Sequence, residues 1–373
     1  MSIHEAMPHS DGVHLLKRQQ SSTYFRPRPS VIGAEHLTPD DLTHLESIFN
    51  QGMVNVDGMT AFAINNAIVF PSGVVALQDG RVITESVLHS RPGSKQRLDE
   101  FLDAAEASRI ALATEDIVHI PAALLLNQWS ADNYGHFVAE VLPKLPFAAS
   151  VTDVRGIQAL IGRRVRGHIR DIYAEAIATT RLALPLVFHE RPRRVDWLVF
   201  ITTAGSHGGS KYPPNLLQTR DLITASGALF QPKRIWLYRS SKYKRRLIDQ
   251  EKLAHHLENS GFVILDVQGM SLSQQAAAVS DARIIVGPVG AAFANIIFAP
   301  SHAQVITLCP GGGRETFFYD CATICGQQYT YVFGESLQPE LRYNSDFRID
   351  PAHLDLAVVQ AENRLATRLG TST

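Results

Sequence analysis

The stretch RIIVGPVGAAFANIIFAPSHAQVITLC, residues 283–309, decides the fold class. Two β-branched apolar runs, RIIVG and QVITLC, flank a Gly/Pro-broken segment and an apolar run at helical spacing. That is the pattern of strand, loop, helix and parallel strand. Outward on the N-terminal side the alternation repeats: RIWLYRS as strand, SKYKRR as basic loop, DQEKLAHHLENSG as helix, FVILDV as strand and LSQQAAAVSDA as helix. Strands separated by helices predict a doubly wound parallel sheet, and we place this Rossmann-like domain over residues 231–349, with its boundary near Gln231-Pro232. Beyond it, DPAHLDLAVVQAENRLATRLG opens with Asp350 as N-cap and Pro351 at the first helical position, which predicts a C-terminal helix in 350–373 that packs back across the domains.

Residues 1–230 form the other domain in this reading. Residues 1–50 are polar and aperiodic and read as an irregular lead-in. Residues 60–90 read as short strands separated by the turn signals NN, PSG and QDG. A helix is expected near KQRLDEFLDAAEASRIAL, then the apolar run VHIPAALLL, then a helix within NQWSADNYGHFVAEVLPKLPFA. Ser130 or Asp132 is placed near the cap of that helix, and Pro143 and Pro146 end or kink it by Leu142. Between 156 and 230, IQALIG, RDIYAEAIATTRLAL, DWLVFITT and LLQTRDLITASGALF alternate as strand and helix.

Composition narrows the function classes. With 35 basic and 36 acidic residues the formal net charge is −1, so no global basic field points to nucleic acid. Three cysteines, Cys309, Cys321 and Cys325, are too few and too odd for a secreted disulfide framework and read as buried thiols. No apolar run reaches the roughly 18 residues of a membrane span, and no signal peptide is visible at the start. A cytoplasmic protein follows, with room for peripheral association at the inner face of a membrane.

Three groups of residues could carry chemistry. Gly287, Pro288 and Gly290 lie where a parallel strand meets a helix, a place where backbone N–H groups bind anions; a plain packing turn is the alternative. The spacing fits neither GxGxxG nor GxxxxGK[ST], which argues against dinucleotides and P-loop chemistry. Asn295 sits in an apolar helix and needs a partner in a loop or a ligand. Arg239, Lys242, Lys244, Arg245 and Arg246 follow the strand RIWLYRS and reach the same sheet edge, where Arg and Lys suit a diphosphate, unless they form only a solvated charged loop. Asp132, His136 and Glu140 recur every four residues, and a carboxylate beside a histidine makes a general base for a sugar hydroxyl; a core histidine bonded to a capping Asp is the alternative. His207 on a Gly-rich loop is weaker, and His255 and His256 read as exposed helix residues. No G-x-S-x-G elbow supports a serine hydrolase.

The segments NYGHFVAEVLPKL and ARIIVGPVGAAFANIIFAPSHAQVI, with RIWLYRSSKYKRRLIDQE and SLSQQAAAVSDA between them, resemble glycosyltransferase family 61, whose bacterial members build capsular and other surface polysaccharides. The general pattern spans about residues 60–340. The resemblance implies an α/β, GT-B type fold of two Rossmann-like domains facing across a cleft, the N-terminal one with additional β-strands. It implies inverting, metal-independent transfer from a nucleotide sugar, UDP-linked in our reading, to a glycan acceptor, with no separate cofactor. Donor contacts would then come from Arg239, Lys244, Arg245, Gly287, Gly290, Ala291, Asn295 and Glu315. His136 would be the base, supported by Asp132 or Glu140, with Asn133, Tyr134 and His207 on the acceptor side. The chain departs from the family at Val289, where His is usual, at Thr307, where an acid is usual, and at Asp249-Gln250, where Asn-Glu is usual; Arg314 and Glu315 are candidates to replace the acid. Two alternatives are a catalytically inactive nucleotide-sugar-binding scaffold protein and a sugar-nucleotide epimerase of the same fold.

Overall fold

The computed structural model describes residues 12–87, 117–128, 130–151, 156–162, 165, 167–180, 182, 184–205, 209–223, 232–240 and 242–370. The expected helix at KQRLDEFLDAAEASRIAL and His207 lie outside them. The chain divides into two compact units, one of Met1–Ser22 with Val56–Leu222, the other of Thr23–Asn55 with Ile223–Thr373. Both are α/β and both contain parallel strands.

The first unit is built on a seven-stranded sheet. Its order is β1 (Val13–Arg18), β5 (Thr60–Val69), β10 (Arg193–Ile201), β7 (His119–Leu125), β8 (Gln158–Gly162) and β9 (Leu186–His189), with β6 (Val75–Ala76) on β5. Strands β10, β7, β8 and β9 run parallel, while β1, β5 and β6 pair antiparallel. Phe62, Ile64, Leu125, Leu160 and Leu198 form one core cluster of this sheet. The Asn65-Asn66 pair does not make a turn: β5 runs through it, with Asn66 at φ 53, because both flanking runs are already paired to β10. Pro71–Gly73 and Asp79–Gly80 do turn the chain, closed by Phe70 N–H to Val74 O and Leu77 N–H to Arg81 O.

The second unit carries the doubly wound pattern. Its sheet order is β12 (Val263–Leu265), β11 (Arg234–Leu237), β13 (Ile284–Pro288), β14 (Gln304–Pro310), β15 (Gln328–Ser336) and β16 (Phe347–Arg348), with β3 (Ser30–Ile32) on β15. All pairs except β15 with β16 are parallel. The lead-in is therefore not irregular. It supplies β3 and the helix α1 (Pro39–Phe49), whose Thr38 cap accepts from Asp41 N–H. Short segments whose partners lie some 300 residues away show no periodicity of their own, so their order was not readable locally. The C-terminal helix Pro351–Gly370 puts Leu354, Ala357, Ala361 and Leu365 against Ile306, Leu308 and Val332. At roughly 1.5–3 kcal/mol for each large apolar side chain removed from water, that face holds the helix on the sheet.

The segment after Gly290 is a 3₁₀ helix over Ala291–Phe298, not an α-helix. Phe293, Ala294, Ile296 and Ile297 are all fully buried. A helix apolar all round is fixed by its surroundings more than by its own stripe, and here the tighter winding follows.

Candidate functional site

In the first unit the chain enters the site through β7. Asn133, not Ser130 or Asp132, caps the following turn, with Oδ1 accepting Gly135 N–H at 2.9 Å. One helical turn, Tyr134–His136, widens into a π-helix over Phe137–Val141, marked by Leu142 N–H to Phe137 O at 2.8 Å. Helical winding resumes over Lys144–Val151, so Pro143 sits at the break and Pro146 in the first turn of the new helix. Such π segments are rare and often carry functional side chains.

This one carries Glu140. Its carboxylate is 2% exposed and meets three groups: His136 Nδ1 lies 3.1 Å from Oε1 and Lys211 Nζ 3.1 Å from the same oxygen. Gln128 Nε2 donates to Oε2 at 3.1 Å. Lys211 is fully buried and also donates to Gly209 O at 2.8 Å. Lys144, likewise buried, is pushed down to about 7 by its removal from water, against the pull of Glu140. The cluster thus contains three groups that the sequence reading did not name. Lys211 stands in a Gly/Ser-rich loop far from NYGH, and Gln128 precedes NYGHFVAEVLPKL; Lys144 lies within that segment but reads there as a solvent-facing cation.

Asp132 precedes the cap and is exposed. With Gln128, Ser130, Asn127, Pro71 and Ser72 it lines a pocket of about 200 Å³. Gln128 thereby touches both that pocket and Glu140. Asn133 spends its side-chain oxygen on the cap, and Tyr134 is buried, its hydroxyl pushed well up by burial and by Glu175. A polar pocket of about 720 Å³, lined by Arg18, Gln19, Gln20, Asp57, Thr60 and Thr202, lies in the same unit.

In the second unit Arg239 leaves β11 and Arg245 follows in the basic loop. Gln250 holds the Arg239 backbone from both sides, its Oε1 accepting N–H at 3.1 Å and its Nε2 donating to O at 2.9 Å. The Arg239 guanidinium covers Gly290: a Cβ built on that glycine would lie 2.1 Å from Nη1. It also donates Nη2 to Lys244 O at 3.0 Å and stands 5.4 Å from the Tyr243 ring centre. Arg245, at φ 65, stacks on Tyr343 at 3.7 Å.

Among the described residues neither cation has a counter-ion that satisfies it. Nε of Arg239 and Nε and Nη1 of Arg245 are buried without a hydrogen-bond acceptor among the described residues. Burial and then the Arg239 charge push Arg245 down to about 10, with Glu315 pulling the other way. Burial lowers Arg239 as well. Two desolvated like charges with unused N–H groups, that of Arg239 set against Gly290, have the chemistry to take an anion.

Other expected donor residues fall elsewhere. Asn295 is fully buried and donates to Gln275 Oε1 at 2.9 Å and to Ala292 O at 3.0 Å, so its partner is protein. Val289 is 2% exposed, its N–H bonded to Leu308 O. Thr307 is buried and donates to Tyr329 OH at 2.9 Å. Arg314 is held by Asp40 and Asp41 and does not replace the missing acid. Glu315 remains beside Arg245, half-buried, and Lys244 and Ala291 are accessible. His255 and His256 are exposed on their helix. All three cysteines are buried free thiols, with Cys309 pushed up to about 12 by burial.

Two α/β units with parallel sheets, a His–Glu–Lys cluster and an unsatisfied arginine pair are compatible with an α/β glycosyltransferase. Residues 134–306 match the family described as Glycosyltransferase 61, a range that holds His136, Glu140, Lys211, Arg239, Arg245 and Gly290. That match supports a glycosyltransferase, with similarity to family 61 across the matched residues. No curated protein matches it. A solved structure, ligand-free aspartate transcarbamoylase from Trypanosoma cruzi, aligns at 15% identity over 61% of this chain and 89% of that one; its TM-score of 0.13 carries no argument. Among the described residues no helix is long and apolar enough to cross a membrane.

Proposed function

We propose that the chain is an inverting, metal-independent glycosyltransferase of GT-B type that moves a sugar from a nucleotide-sugar donor, UDP-linked, to a carbohydrate acceptor in bacterial surface polysaccharide synthesis. The observation that carries the donor reading is the unsatisfied pair Arg239 and Arg245, with Arg239 lying over Gly290. A diphosphate offers the acceptor oxygens that these N–H groups lack, and its charge removes their repulsion. As the bond between the anomeric carbon and phosphate oxygen breaks, the electron pair goes to the nucleoside diphosphate, and the two guanidiniums stabilise it without a metal.

The acceptor hydroxyl oxygen forms the new bond to the anomeric carbon and gives up its proton to His136. Glu140 Oε1 lies 3.1 Å from Nδ1, and in this reading Nδ1 carries the proton while the basic lone pair is on Nε2. Lys211 and Gln128 hold the Glu140 carboxylate in place. The polar pocket of about 720 Å³ offers hydrogen-bonding side chains suited to a glycan.

A second reading, a nucleotide-sugar-binding protein without turnover, draws on Val289 and Thr307, both buried in the loop and strand that flank the anion site. One experiment separates the two. Thermal shift with UDP, GDP, CMP and their sugars, followed by product analysis with glycan acceptors in EDTA, should give one selective nucleoside diphosphate and EDTA-insensitive transfer lost in His136→Ala. Stabilisation without product on any acceptor would favour the second reading, and no shift with any nucleotide would refute the donor site.

A further inference from the structure

We propose that Glu35, His36 and His353, in the second unit, form a binding site for a divalent transition metal, with Zn²⁺ the best-suited ion. One ligand atom from each lies within 4.8 Å of the others. His353 Nε2 is 3.3 Å and His36 Nε2 3.8 Å from the same Glu35 Oε1. Around a tetrahedral Zn²⁺ with bonds of about 2.0–2.1 Å, neighbouring ligand atoms lie roughly 3.3–3.4 Å apart. One edge already has that length, a second needs a small closing movement of exposed Glu35, and the third, between the two histidine nitrogens and within 4.8 Å, needs the imidazole rings to close on the ion.

The histidines are held by backbone that is tied to the core. His36 ends a 3₁₀ turn, Ala34–His36, that follows β3 directly. The turn starts at Gly33, φ 76, where a Cβ would lie 2.1 Å from Phe333 O, so the chain hugs β15 too closely for any other residue. His353 stands in the first turn of the C-terminal helix, its N–H on Asp350 O at 3.0 Å, next to fully buried Leu354. The two rings meet edge to face at 69° and do not stack. Two imidazoles brought to one carboxylate oxygen from opposite ends of the sequence gain little as an exposed ion pair, but they supply three of the four ligands of an N/O site.

The same surroundings set the strength. His353 Nδ1 is buried without an acceptor among the described residues, so an outer-shell partner is missing. Binding should be roughly 10- to 100-fold weaker than at a site with that shell complete. The ion would clamp the C-terminal helix to the sheet, and none of its ligands belongs to the proposed donor or acceptor groups. This proposal is independent of the donor reading.

The test uses the full chain, stripped with chelator and dialysed. Calorimetry with Zn²⁺ should show one saturable equivalent, Co²⁺ should give the visible absorption of a four-coordinate ion, and Zn²⁺ should raise the melting temperature. His353→Ala should lose all three responses, and His36→Gln and Glu35→Gln, both at accessible side chains, should weaken binding at least tenfold with the fold intact by circular dichroism. No saturable Zn²⁺ uptake by the wild type, or uptake unchanged in the folded His36→Gln and Glu35→Gln variants, overturns the proposal.

Discussion

The Glu140 cluster and the Arg239–Arg245 pair solve opposite problems. In the first unit a buried carboxylate is surrounded by a lysine, a glutamine and a histidine, so its charge is answered within the protein. In the second unit two half-buried cations repel each other and have N–H groups to spare. That is not the general state of arginine in this unit: Asp41 alone holds both Arg314 and Arg342. A closed network orients a side chain whether or not a substrate is bound, whereas an open pair of cations is complete only with an anion.

The sharpest way to break the contrast is to open the closed side. Lys211→Met leaves Glu140 charged and unanswered by its buried cation, and removing one partner of a buried pair typically costs about 3–5 kcal/mol. Urea unfolding should show a loss of that size, and transfer should fall with it. Adding Glu140→Gln should restore most of the stability, since the stranded charge is gone, yet leave transfer low because nothing holds His136. A double variant no more stable than Lys211→Met would show that the lysine acts by packing.

The converse experiment relieves the open side. Arg245→Met removes a desolvated like charge, so the melting temperature without ligand should rise. Nucleoside diphosphate binding should lose about 1.5–3 kcal/mol, roughly 10- to 100-fold in Kd, the range of a charge-assisted hydrogen bond. Stability and binding moving in opposite directions is the signature of a site that stores strain for its ligand. If binding is unchanged, the anion does not sit at Arg245.

How much of this contrast could be read from the chain? The parallel strands of the second unit were legible because strands buried on both faces become continuous apolar runs, as in Ile284–Val286 and Val305–Leu308. Arg239 and Arg245 were legible because parallel topology carries residues after each strand to one edge. His136 and Glu140 were legible from their four-residue spacing, although the winding between them is π-helical. Lys211 and Lys144 were not, because a cation in a loop and a cation directly after a proline both read as solvent-exposed until the fold buries them. Asn295 misled for a related reason: its partner Gln275 is on another helix.

Lys144 sharpens the comparison through pH. Its folded value, about 7, lies below the ordinary 10.5 because burial outweighs the attraction of Glu140. The unfolded chain therefore binds this proton more readily than the folded one between those values, and stability contributed here rises as pH increases from 7 towards 10.5. Below 7 the full cost of charging a buried amine is present. Lys144→Met should raise stability at pH 7 by about 1–3 kcal/mol and flatten the rise at higher pH, as unfolding midpoints measured from pH 6 to pH 10 would show.

The smallest expected effect separates Gly287, inside β13, from Gly290, in the loop that follows it. At Gly287 an added Cβ would stand 2.4 Å from the Leu237 carbonyl oxygen, a backbone atom of the neighbouring strand that cannot yield. At Gly290 it would meet Arg239 Nη1, the far end of a flexible side chain, and the backbone there is extended, at φ 179. Gly287→Ala should accordingly destabilise the unit, as packing turns do when overfilled. Gly290→Ala should leave stability within about 0.5 kcal/mol of wild type, the range of tolerated substitutions. It should nonetheless weaken diphosphate binding, because the guanidinium must swing off the position from which it would grip the anion. Equal loss of stability in both variants would mean that Gly290, too, serves only the packing of the strand.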